Sequence, residues 1–129
     1  MGLKKWARLL GIVLLVIGIL GFIPGITTTD GYLLGIFHVD GLHNIIHIIT
    51  GLIGLIVSAK SERAQRLFFQ IFGWIYLVVT ILGFLGSGMV LGLFVANVAD
   101  NILHLVIAVL SLWLGYSGRK AAMMSAPQM

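Results

Sequence analysis

The most constraining feature of the chain is the placement of its charges, which leaves four long stretches with none at all. Only 9% of the residues are charged and 60% are hydrophobic, whereas a soluble domain is about 25% charged. A helix needs about 20 mainly apolar residues to cross the roughly 30 Å of hydrocarbon in a bilayer. The chain is therefore predicted to lie in a membrane, with its spans inside the uncharged stretches 9–29, 41–59, 67–99 and 101–118.

The third of these stretches is too long for a single crossing. It contains Gly86-Ser87-Gly88, three weak helix formers that suit a turn better than a helix interior. Because lipid cannot satisfy free peptide groups, sheet or irregular structure at membrane depth is disfavoured. The predicted fold class is an all-α integral membrane protein with four transmembrane helices, whose approximate limits are 9–26, 41–58, 67–86 and 98–116.

Basic residues lie at three places along the chain, and these places predict its orientation. Positive residues mark the cytoplasmic side, and with four spans the three places share one side. We therefore expect a multi-pass protein of the cell (inner) membrane with both termini in the cytoplasm. The basic residues lie in short segments that flank apolar helices, so the lipid bilayer is the expected partner and nucleic acid is not. Whether the chain forms a homo-oligomer stays open. They are Lys4, Lys5, Arg8, Lys60, Arg63, Arg66, Arg119 and Lys120.

The two halves of the chain repeat each other. Residues 16–22 match residues 78–84 with five identities in seven columns, and residues 33–47 match residues 90–104 with six identical pairs. Each repeat holds two spans, so the repeats share one orientation and form a tandem repeat of helical hairpins about an axis along the membrane normal. We predict one four-helix domain over residues 1–120, with repeats at about 9–58 and 67–116, and a mobile C-terminal tail at 121–129.

The second and fourth spans open with similar polar motifs, His43-Asn44-Ile45-Ile46-His47 and Asp100-Asn101-Ile102-Leu103-His104. The first and last residues of each motif are four apart and lie on one face of a helix. The repeat places these faces opposite each other, near the outer surface. Imidazole nitrogens and a carboxylate suit zinc and other first-row divalent ions. The sequence thus predicts a divalent-metal site, open to the outer side, with the ligands His43, His47, Asp100 and His104.

Further residues of the same two spans are expected to support this site. The amides of Asn44 and Asn101 can fix the orientation of the imidazoles that bind the metal. Small residues on one face allow membrane helices to approach closely. The helix-packing positions predicted on this basis, where the second and fourth spans cross, are Gly51, Gly54, Ala108 and Ser111.

Two other classes of function stay open. In the first, the Asn and His side chains form only an interhelical polar clamp in a structural or interaction protein, with Asp40 and Asp100 as helix N-caps. In the second, His47 and His104 are axial ligands of a haem, or an oligomer conducts ions through a central pore. The small residues beneath the histidines favour closure of the helices over a haem macrocycle. Nothing marks a general base or a substrate pocket, so no catalytic residue and no enzymatic activity is predicted.

With these motifs in its second and fourth spans, the chain resembles a bacterial family of small four-span membrane proteins known only as a domain of unknown function. The residues that match the motifs are His43, Asn44, His47, Asp100 and His104. The resemblance covers nearly the whole chain, because the spans, the loops and both motifs fall in the expected order. It implies a four-helix membrane fold and carries no activity with it.

Overall fold

Four helices and two short β-hairpins make up the fold. The computed structural model describes the backbone of residues 2–125 and the side chains of residues 2–117. The helices are α1 (Leu3–Leu20), α2 (Gly41–Ser58), α3 (Glu62–Leu85) and α4 (Val98–Ser125). The strands are β1 (Tyr32–Leu33), β2 (Phe37–His38), β3 (Met89–Val90) and β4 (Phe94–Val95). The backbone of residues 121–125, the first part of the expected tail, belongs to α4. Residues 126–129 lie outside the described residues, and the mobility expected of the tail stays a prediction.

Three of the helices, α2, α3 and the α4 segment Val98–Ser117, are long and apolar enough to cross a membrane. Apolar side chains cover their outer faces: Ile56, Ile71 and Val109, for example, are each more than half exposed. Such a surface is stable against lipid and not against water. The chain is therefore a membrane protein with a helical architecture, as the sequence predicts.

The first helix ends earlier than its apolar stretch suggests. The sequence places the end of the first span near residue 26, but α1 ends at Leu20. Pro24 has no backbone N–H to give to the Leu20 carbonyl, as a continuing helix would require. The hydroxyl of Thr27 donates to this carbonyl instead, over 2.9 Å.

The third helix begins earlier than predicted, at Glu62 and not at residue 67. Ser61 Oγ accepts the backbone N–H of Ala64 over 3.2 Å and so caps the helix. Glu62 and Arg66 form an ion pair one turn apart, with 2.7 Å between Oε1 and the guanidinium. Charges thus support a helical turn that extends beyond the apolar stretch.

The connection between α1 and α2 and the connection between α3 and α4 each form an antiparallel hairpin, which the sequence does not predict. β1 pairs with β2 and β3 pairs with β4, and the pair Tyr32↔His38 corresponds to Met89↔Val95. Leu34 and Leu91 both turn the chain with positive φ, at 53° and 51°. Leucine seldom adopts such a conformation, so hydrophobic periodicity gives no sign of these turns.

Close glycine contacts join α1 to α2 and α3 to α4. A Cβ atom added at Gly51 of α2 would lie 2.6 Å from the Leu15 nitrogen and 2.7 Å from the Gly11 oxygen, both on α1. On α3, a Cβ atom at Gly73 would lie 2.9 Å from the side chain of Leu112 on α4. The helices α1 and α2, and likewise α3 and α4, therefore pack at close range.

These contacts correct the expected partner of two packing residues. Gly51 and Gly54 are expected at a crossing with the fourth span, but their nearest neighbours include Gly11 on α1, and Gly54 also lies near Phe68 of α3. Helical spacing identifies the face on which a small residue lies, and not the helix that covers it. Ala108 and Ser111 of α4 are completely buried.

The hairpins tie the two halves of the chain together at one end of the bundle. The backbone N–H of Val95 in β4 donates to Oδ2 of Asp40 at the start of α2, over 2.9 Å. In the opposite direction, the Asn97 amide at the start of α4 donates to the carbonyl of Ile36 in the first hairpin loop, also over 2.9 Å. Each half thus helps to position the first turn of the other half's second helix.

Candidate metal centre

Three histidines from two helices meet inside the bundle. α2 supplies His43 and His47, one turn apart, and α4 supplies His104. One ring nitrogen of each lies within 4.8 Å of the other two. The ring centroids are 4.6 Å apart for His43 and His47, 5.4 Å for His43 and His104, and 5.7 Å for His47 and His104. We call these three residues the histidine triad.

The start of α2 is fixed by Asp40, and this places His43 in the triad. Asp40 is the N-cap residue, and its Oδ1 accepts the backbone N–H of His43 over 2.9 Å. Its Oδ2 accepts the Val95 N–H, as described above. The carboxylate therefore holds the first turn of α2 against β4, and His47 follows on the same face one turn later.

Asp100, the fourth ligand expected from the sequence, is not part of the triad group. Its Oδ2 accepts the backbone N–H of Asn97 over 2.9 Å, while Asn97 Oδ1 accepts the N–H of Asp100 over 3.0 Å. This reciprocal arrangement is a capping box at the start of α4. The structure thus gathers three of the four expected ligands and shows the fourth side chain bonded to the helix terminus.

Asn44 and Asn101 pack against glycines of the preceding helices. A side chain added at Gly21 would overlap the amide of Asn44, and one at Gly83 would overlap the amide of Asn101. Among the described residues, neither Oδ1 atom has a hydrogen-bond partner. The amide oxygens therefore do not hold the imidazoles of the triad in the way that the sequence suggests.

The triad is buried and its nitrogens are unpaired. His43, His47 and His104 are each at most 2% exposed. Five of their six ring nitrogens have no hydrogen-bond partner in the described part of the chain: both nitrogens of His43, both of His47, and Nδ1 of His104. A buried polar atom without a partner costs about 1–3 kcal/mol. This concentration of unpaired nitrogens indicates a site that is completed by a ligand.

A cavity of about 280 Å³ adjoins the triad. Its other lining residues come mainly from α2 and α3, and two of them, Ile49 and Ile75, are about half exposed. The cavity therefore reaches the surface between these two helices. Phe94 of β4 packs on His43 with 5.1 Å between ring centroids. This opening lies on the apolar face of the helices, and the opening toward the outer side that the sequence suggests stays a prediction.

Tyr76 of α3 belongs to this site, although the sequence analysis assigns it no role. Its ring lies 5.6 Å from that of His104, and its hydroxyl is buried without a hydrogen-bond partner among the described residues. The signal in the sequence is a tyrosine in the middle of an apolar span. A buried phenol usually has a hydrogen-bond partner, so such a tyrosine indicates a polar neighbour or a ligand. The cavity itself had no signal in the sequence.

The comparison with family models agrees with the resemblance found in the motifs. Residues 4–117 match the model described as Domain of unknown function (DUF4383). The matched segment contains the whole triad and Tyr76. No curated protein and no solved structure matches the chain.

Proposed function

We propose that this chain, which belongs to the family described as Domain of unknown function (DUF4383), binds a divalent transition-metal ion such as zinc through His43, His47 and His104. The observation that carries the proposal is the set of five buried, unpaired ring nitrogens in the triad. Coordination of one ion would give one nitrogen of each ring a strong partner, without the need for a charged side chain beside it.

Three nitrogen ligands leave room for a fourth, exchangeable ligand. Sites of this kind, with three protein ligands and one open position, differ from structural zinc sites, in which the protein supplies all four ligands. The cavity borders His43, His47 and His104, so the fourth position would face it. We therefore expect a centre that exchanges its outer ligand with the cavity and not with bulk water.

The two alternatives are less well supported by the same geometry. A polar clamp requires hydrogen bonds between the halves, but five of the six triad nitrogens and both asparagine Oδ1 atoms have no partner in the described residues. A haem between His47 and His104 requires a flat slot, but the ring of His43 packs 4.6 Å and 5.4 Å from theirs. A small ion fits this space better than a macrocycle.

Our proposal for the membrane arrangement has four spans, the two halves in one orientation and both termini in the cytoplasm. The two hairpins pair in the same register, which supports a structural repeat of the two halves. The basic residues of α1 and Lys60 in the connection between α2 and α3 support the orientation. In this arrangement His43 and His47 lie about 3 Å and 9 Å along α2 from its first residue. The metal centre is then close to the outer face of the membrane.

The experiment is a metal analysis of the purified protein in detergent after equilibration with zinc and dialysis. We expect one zinc per chain in the wild type. The double variant His47→Ala/His104→Ala should lose more than about 100-fold in affinity, since even loss of an outer hydrogen-bond partner costs about 10–100-fold.

The matched control is His38→Ala. His38 is the fourth histidine of the chain, lies in β2, and stacks on Tyr32 with 4.6 Å between ring centroids, outside the triad. This variant should keep its zinc. Equal zinc content in the double variant and the control, or none in the wild type with zinc, copper or iron, would contradict the proposal.

A further inference from the structure

The cavity beside the triad has one polar side and otherwise apolar walls. The polar side consists of the three imidazoles, Thr50 and Tyr76, and the walls include Ile46, Phe72, Val79 and Phe94. Among residues 2–117, whose side chains the structure describes, no lysine, arginine, aspartate or glutamate lines it. An ammonium headgroup would therefore meet no opposite charge there, and a phosphate would meet one only when the triad holds a metal ion, so a neutral ligand suits the cavity with or without the metal.

The ligand must come from the lipid phase. The cavity reaches the surface between the half-exposed side chains of Ile49 and Ile75, on α2 and α3. This is the face that apolar helices turn toward the acyl chains. On the side of the hairpins, the ring of Phe94 packs on His43. A lipid-soluble molecule can thus enter sideways, whereas a water-soluble one has no polar route along this opening.

The unpaired polar groups that line the cavity indicate the chemistry of the ligand's head group. The Tyr76 hydroxyl is buried without a partner in the described part of the chain and can donate to an oxygen. Each neutral imidazole offers one N–H donor and one acceptor nitrogen. The aromatic rings of Phe72, Tyr76 and Phe94 line the same space and suit a flat ring. At about 280 Å³, the cavity is near the lower end of ligand pockets, which are about 300–1,000 Å³, so it holds a head group and leaves a tail outside.

We infer that the cavity binds a membrane-soluble quinone, with its oxygen-bearing ring beside the triad and Tyr76 and its apolar tail between α2 and α3 in the lipid. A quinone has carbonyl oxygens that accept from the phenol and from imidazole N–H groups, a flat ring, no charge and an apolar chain. The inference goes beyond the metal centre and does not depend on it, because the Tyr76 hydroxyl donates whether or not the triad holds a metal.

The test measures saturable binding of decylubiquinone to the full chain in detergent micelles by calorimetry, with empty micelles as background. Decylbenzene, which has a ring and the same tail but no oxygens, is the comparison probe. We expect one decylubiquinone per chain and no saturable binding of decylbenzene. The same titration on protein dialysed against a chelator separates this inference from the metal proposal, since quinone binding should persist there.

Two variants with a matched control locate the site. Ile75→Trp fills the opening from a lipid-facing position and should lower the affinity at least about tenfold, while Ile71→Trp should leave it unchanged. Ile71 is exposed one turn earlier on the same face of α3 and does not line the cavity. Tyr76→Phe removes one hydrogen bond and should weaken binding about 3- to 10-fold. Circular dichroism checks that each variant stays helical.

Three results would overturn the inference. Absence of saturable quinone binding in both metal-loaded and chelator-treated protein is the first. Equal effects of Ile75→Trp and Ile71→Trp would place any binding elsewhere. Equal binding of decylbenzene, with no effect of Tyr76→Phe, would show that the cavity accepts only acyl chains.

Discussion

Asp40 and Asn97 occupy corresponding positions at the starts of α2 and α4, yet they bond to the hairpins in opposite senses. Asp40 accepts two backbone N–H groups, one from its own helix and one from Val95. Asn97 accepts from its own helix through Oδ1 and donates to Ile36 through its amide nitrogen. The amide can do both because it has a donor and an acceptor, whereas a carboxylate only accepts. Each N-cap residue therefore bonds to the other half of the chain, Asp40 as an acceptor and Asn97 as a donor.

The role of Asp100 can be separated from that of the histidines by substitution. Asp100→Ala removes one partner of the capping box and should lower the free energy of unfolding by about 0.5–2 kcal/mol. Zinc content should stay at the wild-type value, because the carboxylate is bonded to the helix start. Unfolding in mixed micelles, followed by circular dichroism, measures the free energy of unfolding, and metal analysis measures the zinc content. If Asp100→Ala lost as much zinc as the His47→Ala/His104→Ala variant, Asp100 would be a metal ligand after all.

Zinc affinity should fall as the pH falls. Only the neutral imidazole has a free lone pair for the metal, so protons compete with zinc at each ring. Competition with a zinc indicator at a series of pH values from about 8 down to about 4 measures the effect, and His38→Ala should show the same dependence as the wild type. A zinc affinity that does not fall at any pH at which the protein stays helical would mean that the imidazoles are not the ligands.

At the scale of helices and strands, the sequence predicts most of what depends on charge and apolar length. The limits of α2 and the start of α4 follow from Asp40, Gly86-Ser87-Gly88 and the next apolar run. Apolar length alone does not predict the end of α1, because Pro24 stops the helix before the apolar stretch ends. The hairpins depend on positive φ at Leu34 and Leu91, for which leucine gives no signal. The spacing of the histidines predicts that they share a face, but the cavity depends on how α2 and α3 pack against each other. Spacing within one helix carries no information on that packing.

The close contact between α1 and α2 makes Gly51 intolerant of larger side chains. Gly51→Leu should destabilise the protein by about 1–3 kcal/mol or more, because even its Cβ atom would lie 2.6 Å from a backbone nitrogen. Val109→Leu, on an exposed face of α4, should change stability by less than about 0.5 kcal/mol. Unfolding of the two variants in mixed micelles provides the comparison. Similar stability losses in both would mean that α1 and α2 are not in backbone contact.

At the scale of the whole molecule, the orientation in the membrane decides which compartment faces the triad. The sequence contains no cysteine, so single cysteines can be introduced without removing any. The exposed residues Ser61 and Thr28 lie in connections at opposite ends of the helices. They therefore report on opposite sides of the bilayer.

Labelling of these two positions tests the proposed topology. Thr28→Cys should react with an impermeant thiol reagent added to intact cells, and Ser61→Cys should react only after the membrane is broken, because basic residues keep its connection in the cytoplasm. The cysteine-free parent measures background labelling. The reverse pattern would invert the topology and place the metal centre at the cytoplasmic face.

The hydrogen bonds that join each hairpin to a helix of the other half also bear on the order in which the site is completed during synthesis. Asp40 and Val95 are 55 residues apart in sequence, and the third imidazole of the triad belongs to the last helix. When the ribosome has made α1, α2 and α3, the cap of α2 still lacks the N–H that β4 will provide, and His43 and His47 have no third imidazole beside them. In the proposed metal centre, the nascent chain would therefore have no complete ligand set early in its insertion. Metal loading would follow the final step, in which α4 joins the other three helices.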